Sequence, residues 1–169
     1  ALFPNDDWMK WEGYDLESQD NKGKTALMYA CEKNLSQIAI KIIVKGCHLN
    51  LQDNRGKTAL MYACENNSEE IVNQLIANEY ELNLDLQDSK GRTALITACF
   101  HNNRNIVNQL IVSDYDLNLD LQDTRGRTAL MTACFYDYRE ILNQLIVCGC
   151  NLNIIDNNGK NALMTACYR

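Results

Sequence analysis

The nine residues "GKTALMYAC" stand unchanged at positions 23–31 and again at 56–64. Three near copies follow, "GRTALITAC" at 91–99, "GRTALMTAC" at 126–134 and "GKNALMTAC" at 159–167. Successive glycines lie 33, 35, 35 and 33 residues apart, and each copy sits in a longer unit such as "LNLQDNRGKTALMYACENNSEEIVNQLIANEY" at 49–80. A period of this length marks an array of stacked supersecondary units, because one such unit is too small to bury its own apolar face.

Each unit reads as a turn, a short helix, a tight link and a second helix. In the unit that begins at Asp53, "DNRG" is a turn tetrad in which Asp and Asn bond their own backbone and Gly56 supplies a positive φ. Thr58 then caps a helix, its hydroxyl accepting from an otherwise orphan first-turn amide. Ala59, Leu60, Ala63 and Cys64 make a narrow apolar face. After "ENN" a second helix opens with "SEEIVNQLI", where Ser68 is the expected cap and Glu69 and Glu70 suit the positive end of the helix dipole. Ile71, Val72, Leu75 and Ile76 form its buried stripe.

The chain's 46% hydrophobic and 22% charged residues suit a water-soluble domain. No apolar run approaches the roughly 18–20 residues of a spanning helix, and the opening "ALFPNDDWMK" lacks the basic flank and apolar stretch of a secretory signal. An intracellular location is expected. Eight cysteines do not argue against it, because Cys31, Cys64, Cys99, Cys134 and Cys167 occupy one slot of every repeat, about a helix diameter apart and beyond disulfide reach. These five are read as buried core residues. Cys47, Cys148 and Cys150 lie outside the slot, and thiol reaction is expected only at some of these three. The "CGC" at 148–150 lacks a second ligand pair, and the chain has only two histidines, so no metal or other cofactor is expected.

These motifs resemble the ankyrin repeat family, whose units carry Gly-x-Thr-Pro-Leu-His-x-Ala-Ala and a second helix of the Ile-Val-x-x-Leu-Leu type. Gly23, Thr25, Leu27 and Ala30 match, as do their equivalents in the next three repeats. The second-helix pattern recurs as "IVNQLI" at 71–76 and 106–111 and as "ILNQLI" at 141–146. The resemblance implies an all-α solenoid of stacked helix-turn-helix units joined by β-hairpin-like loops. Residues 1–19 are then a divergent N-terminal capping helix and hairpin. Four repeats follow at 20–52, 53–87, 88–122 and 123–155, with the first helix of a fifth at 156–169.

The departures carry information. The family's Pro is Ala26, Ala59, Ala94, Ala129 or Ala162, and its His is Met28, Met61, Ile96, Met131 or Met164, which trades a polar contact for apolar packing. Repeats two and three are followed by two extra residues, in "YELNLDLQD" and "YDLNLDLQD", whose hairpins are expected to project differently. Residues 5–12 are read as the capping helix, with Trp8, Met9 and Trp11 as its apolar contacts. The missing second helix of repeat five suggests a piece of a longer polypeptide.

Function is left to positions that the stack does not consume. Lys22, Lys24, Arg55, Lys57, Lys90, Arg92, Arg125, Arg127 and Lys160 flank the turn glycines, nine of the sixteen basic residues in a chain of net charge −6. Such a ridge suits an acidic protein surface better than nucleic acid, because every tip also holds an Asp. A second surface is the concave inner face of the first helices: Tyr29, Glu32 and Lys33; Tyr62, Glu65 and Asn66; Thr97, Phe100 and His101; Thr132, Phe135 and Tyr136; Thr165, Tyr168 and Arg169. Exposed aromatics here would anchor a protein interface; the competing role is to fill gaps between neighbouring helices. Cys99 and His101 point apart on a helix and form no dyad, and no phosphate loop, metal motif or nucleophile elbow occurs.

The expectation is therefore a non-catalytic module that holds another protein through Tyr29, Tyr62, Phe100, His101, Phe135, Tyr136 and Tyr168, together with tips Lys57, Lys90, Arg92, Arg125 and Arg127. No nucleic acid, membrane insertion or small-molecule substrate is expected. The alternatives are the targeting arm of a larger enzyme and an architectural part of a larger assembly such as a virus particle.

Overall fold

The computed structural model describes residues 13–78, 82–113 and 115–168. Among them are nine α-helices and no strand: α1 (Ala26–Glu32), α2 (Ser36–Val44), α3 (Ala59–Glu65), α4 (Glu69–Ile76), α5 (Ala94–Phe100), α6 (Arg104–Ile111), α7 (Ala129–Tyr136), α8 (Arg139–Val147) and α9 (Ala162–Cys167). The expected capping helix at 5–12 and Arg169 lie outside the described residues, as do 79–81 and 114 within the two longer links.

The odd-numbered helices stack side by side as one layer, α2, α4, α6 and α8 stack as a second, and each even helix packs on the odd helix before it. Every odd helix starts the same way. Thr25, Thr58, Thr93 and Thr128 hold extended backbone and accept the amide three residues on, and Asn161 does the same for α9. The Ala that replaces the family's Pro takes the first helical position in each case.

The buried face of these helices is wider than the narrow stripe expected from sequence. All six residues from Ala59 to Cys64 are buried, Met61 and Tyr62 included. A helix flanked by two neighbours of its own layer and backed by a second layer has little perimeter left for water. The Met slot behaves as apolar packing predicts, with Met28, Met61, Ile96 and Met131 buried, whereas Met164 is exposed. Leu163 and Cys167 are exposed with it, because no second helix covers α9 among the described residues.

The second helices correct one expectation. Ser68 precedes α4 but makes no capping bond, and its buried hydroxyl has no partner among the described residues. The link explains why. Asn34, Asn67, Asn102 and Asp137 take left-handed backbone, with φ between 52° and 59°. That turns the next amide back onto the first helix: Leu35 N donates to Ala30 O at 2.8 Å, and Ser68 N to Ala63 O at 3.0 Å. The closing residue is thus fixed by the end of the first helix, at ψ 71° for Ser68 instead of the 168° of Thr58. Asn is the L-residue that tolerates this backbone best.

The repeats are tied along the tips by a ladder of glutamines. The Gln52 side-chain amide donates to its own turn at Gly56 O, 2.6 Å away, and to Gln87 O of the next repeat at 3.0 Å. Gln19 does the same to Gly23 O and Gln52 O, and Gln87 to Gly91 O and Gln122 O. Gln122 donates to Gly126 O and Ile155 O. Beside this ladder, Asn54 N, Ser89 N, Thr124 N and Asn157 N each donate to a carbonyl one repeat back.

Two outcomes follow for stability and thiol chemistry. At Gly91, with φ +70°, an added Cβ would lie 2.8 Å from Thr124 N; at Gly149, with φ +83°, nothing lies within 4 Å. Both substitutions to Ala carry the left-handed penalty, but Gly91→Ala also forces two repeats apart and is expected to cost at least about 1 kcal/mol more in urea unfolding. As to thiols, Cys47 and Cys150 are buried in the core cluster and Cys148 is exposed, while Cys167, expected to be buried with the other slot cysteines, is exposed because α9 lacks a covering helix among the described residues. Burial lifts the Cys47 thiol to about 11 and pushes Cys31, Cys64 and Cys99 higher still. Native protein treated with iodoacetamide near neutral pH is expected to be labelled at Cys148 and Cys167 alone, as read by peptide mass spectrometry.

Candidate interaction surface

The tips are built on an aspartate. In repeat two, Asp53 Oδ1 accepts the amides of Arg55 at 2.8 Å and Lys57 at 2.9 Å, and Gly56 N donates to Asp53 O at 2.8 Å. Asp20, Asp88, Asp123 and Asp156 hold the same turn. The basic residues that flank the turn glycines therefore separate into two sets, one before the glycine and one after it. Lys90 and Arg125, like Lys22 and Arg55, point into solvent. Lys24, Lys57, Arg92, Arg127 and Lys160 are half-buried against the first helices.

What this second set meets differs between the halves of the array. In the first half the partner is glutamate: Lys24 Nζ reaches Glu32 at 2.7 Å and Lys57 Nζ reaches Glu65 at 2.6 Å. The Tyr29 and Tyr62 hydroxyls donate to the free oxygens of Asp20 and Asp53, each at 2.7 Å. Lys24 also lies 4.3 Å from the Tyr62 ring centre and Lys57 4.9 Å. Tyr62 is thus 4% exposed and fully engaged, which removes it from the expected contact residues, while Tyr29 keeps 37% of its surface.

In the second half Thr replaces Tyr and the Asp oxygen is taken by arginine instead. Arg92 binds Asp88 Oδ2 through Nε at 3.0 Å and Nη2 at 2.8 Å, and Arg127 binds Asp123 Oδ2 at 3.1 and 2.8 Å. Thr97 and Thr132, expected at the surface, are buried with their hydroxyls donating to Thr93 O and Thr128 O. The glutamate slot becomes Phe100, Phe135 and Tyr168. The linked change from Lys, Tyr and Glu to Arg, Thr and an aromatic is written in the sequence, but it reads as a unit only once the Asp that both sets satisfy is located.

The aromatics of the second half touch one another. Phe100 meets Tyr136 edge-on at 5.4 Å between ring centres, Phe135 meets Tyr136 at 4.9 Å, and His101 sits edge-on to Phe100 at 5.2 Å. Tyr138, not singled out from sequence, stacks on Tyr136 at 5.5 Å. Phe135 is 44% exposed and Tyr168, under the Lys160 ammonium, 81%. Desolvation, ahead of the nearby Arg92 and Lys57 charges and against the pull of Glu65, holds His101 below the usual imidazole range. Two adjoining grooves of about 540 and 390 Å³ run over this surface and share Arg125, Arg127 and Phe135.

The Tyr62–Asp53 pair makes a pH-dependent contribution. Burial pushes the Asp53 carboxyl up, but the Tyr62 hydroxyl and the Lys57 and Arg55 amides together bring it below its ordinary 3.8. Burial, then the bond to Asp53, raises the Tyr62 phenol. A depressed carboxyl adds stability above its unfolded value that is lost as pH falls through the folded one. Tyr62→Phe is expected to cost about 1–2 kcal/mol at neutral pH and to move acid unfolding to higher pH. The two proteins converge below the folded carboxyl value, and circular dichroism against pH reads the difference.

The family model described as ankyrin repeats (3 copies) matches residues 7–85, 36–123, 72–156 and 106–169. The crystal structure of EF0377, an ankyrin repeat protein, superposes with a TM-score of 0.85 at 27% identity, covering 92% of this chain and 80% of that one. No curated protein matches the chain. Ankyrin repeats generally mediate protein–protein interactions and are generally non-catalytic, and no helix among the described residues is long and apolar enough to cross a membrane. On the recurring capped helix pair, the tip ladder and these matches, the chain belongs to the ankyrin repeat family.

Proposed function

We propose that this chain is a non-catalytic recognition module that works inside the cell and holds another protein against the inner face of α5, α7 and α9, with the neighbouring tips as its rim. The observation that carries this reading is the run of mutually touching aromatics at Phe100, Tyr136 and Phe135, continued one repeat on by Tyr168. Apolar rings left in the open and already ordered by their neighbours lose little side-chain entropy on binding, which suits them to anchor an interface. His101 belongs to the margin of this surface, whereas Tyr29, on α1, lies two repeats away from it; Lys90 and Arg125 supply its open charges; Arg92 and Arg127 frame the groove while held by their aspartates. The repeat boundaries at 20, 53, 88, 123 and 156 are part of the same reading, supported by the recurrence of the Asp-centred turn at each.

The test compares two double substitutions in affinity capture from native extract, read by quantitative mass spectrometry. Phe100→Ala with Phe135→Ala removes anchors that each contribute about 2 kcal/mol or more. Lys90→Ala with Arg125→Ala removes exposed charges that each contribute under about 1 kcal/mol. The aromatic pair is expected to abolish capture and the tip pair to weaken it, with both proteins remaining folded. The reverse order would sink the reading.

A further inference from the structure

The inner surface is divided electrostatically. Over the first two repeats five cations, Lys22, Lys24, Lys33, Arg55 and Lys57, accompany four carboxylates, Asp20, Glu32, Asp53 and Glu65, a surplus of one, and Lys24 and Lys57 are paired with Glu32 and Glu65 at 2.7 and 2.6 Å. Over the last three repeats five cations, Lys90, Arg92, Arg125, Arg127 and Lys160, face three carboxylates, Asp88, Asp123 and Asp156, a surplus of two. The surplus resides on Lys90 and Arg125, because Arg92 and Arg127 are engaged by Asp88 and Asp123, and Lys160 pairs with the Tyr168 ring. It arises where the glutamate slot has become aromatic, so open charge and open apolar surface coincide. This happens on a chain whose net charge is −6.

We propose that the groove over α5, α7 and α9 receives an extended, acidic segment of the partner protein, whose carboxylates meet Lys90 and Arg125 and whose apolar side chains lie on Phe100, Phe135 and Tyr168. This rests on the recognition reading above and adds the partner's chemistry. The two grooves adjoin end to end through Arg125, Arg127 and Phe135. At about 10 Å per stacked repeat, they offer a track about 20 Å long, which an extended chain of about six residues spans. Lys90 and Arg125 stand one repeat apart, so a segment in polyproline II conformation, which turns once in about three residues and rises about 3.1 Å per residue, presents to both of them acidic residues about three positions apart. Nucleic acid fits less well, because the body around the groove is acidic and repels a polyanion along its length.

The test selects binders to the 169-residue protein from a phage library of random peptides about twelve residues long. The selected peptides are then measured by fluorescence anisotropy. Peptides with carboxylates about three residues apart are expected, bound at least about tenfold more weakly by Lys90→Glu with Arg125→Glu. Lys22→Glu with Arg55→Glu, the same change on the half without the aromatic groove, is expected to alter binding by less than about twofold. Neutral or basic peptides that still lose binding with Phe100→Ala and Phe135→Ala overturn the acidic partner while leaving the recognition surface in place. Peptides indifferent to both pairs, or no selected peptides, overturn the groove as well. Tighter binding of an oligothymidylate of about fifteen nucleotides than of any selected peptide assigns the groove to nucleic acid.

Discussion

A pair of helices as short as α3 and α4 has no interior of its own. Its apolar residues are buried only because α1 and α5 lie on either side of α3, and α2 and α6 on either side of α4. Everything else in the architecture serves that side-by-side contact. The Ala-Cys pair that recurs in every first helix is small enough to let neighbouring helices approach closely, and Ala30, Ala63, Ala98 and Ala133 are all buried with their cysteines. The glutamine ladder holds the tips in the same register, each side chain satisfying one carbonyl of its own turn and one of the next repeat. The ladder stops where Ile155 replaces Gln, yet Ile155 still offers the carbonyl that Gln122 needs.

Stacking also decides which residues are left over. The aspartate of each tip spends one oxygen on the turn and keeps the other for a side chain. In the first half that side chain is a tyrosine, with a lysine–glutamate pair beside it; in the second it is an arginine. Both solutions satisfy the turn, but the first closes the surface and the second leaves aromatic rings open to solvent. A binding face confined to one half of a regular array thus emerges from a choice about how to satisfy one carboxylate oxygen.

The cysteines and caps show where pattern and packing part. A cysteine in the core slot is buried in α1, α3, α5 and α7 but exposed in α9, since burial belongs to the neighbours and not to the slot. Cys47 and Cys150, which share no such slot, are buried because their hairpins fold against the stack. Ser68 has the right identity for a cap and the wrong backbone, dictated one residue earlier by the left-handed Asn67.

Periodicity in the sequence was enough to determine the repeat architecture, the threonine caps and the Asp-Gly turns, because each depends on residues within a few positions of one another or on an echo at constant spacing. The same reading grouped the aromatic and basic residues of the inner surface but could not rank them. Tyr62 and Phe100 are both aromatics beside the Ala-Cys pair; one is sealed between Lys24, Lys57 and Asp53, and the other opens onto a groove. Part of that difference comes from side chains of adjacent repeats, Lys24 over Tyr62 and Tyr136 against Phe100, 38 and 36 residues away in sequence, so only the tertiary structure decides it.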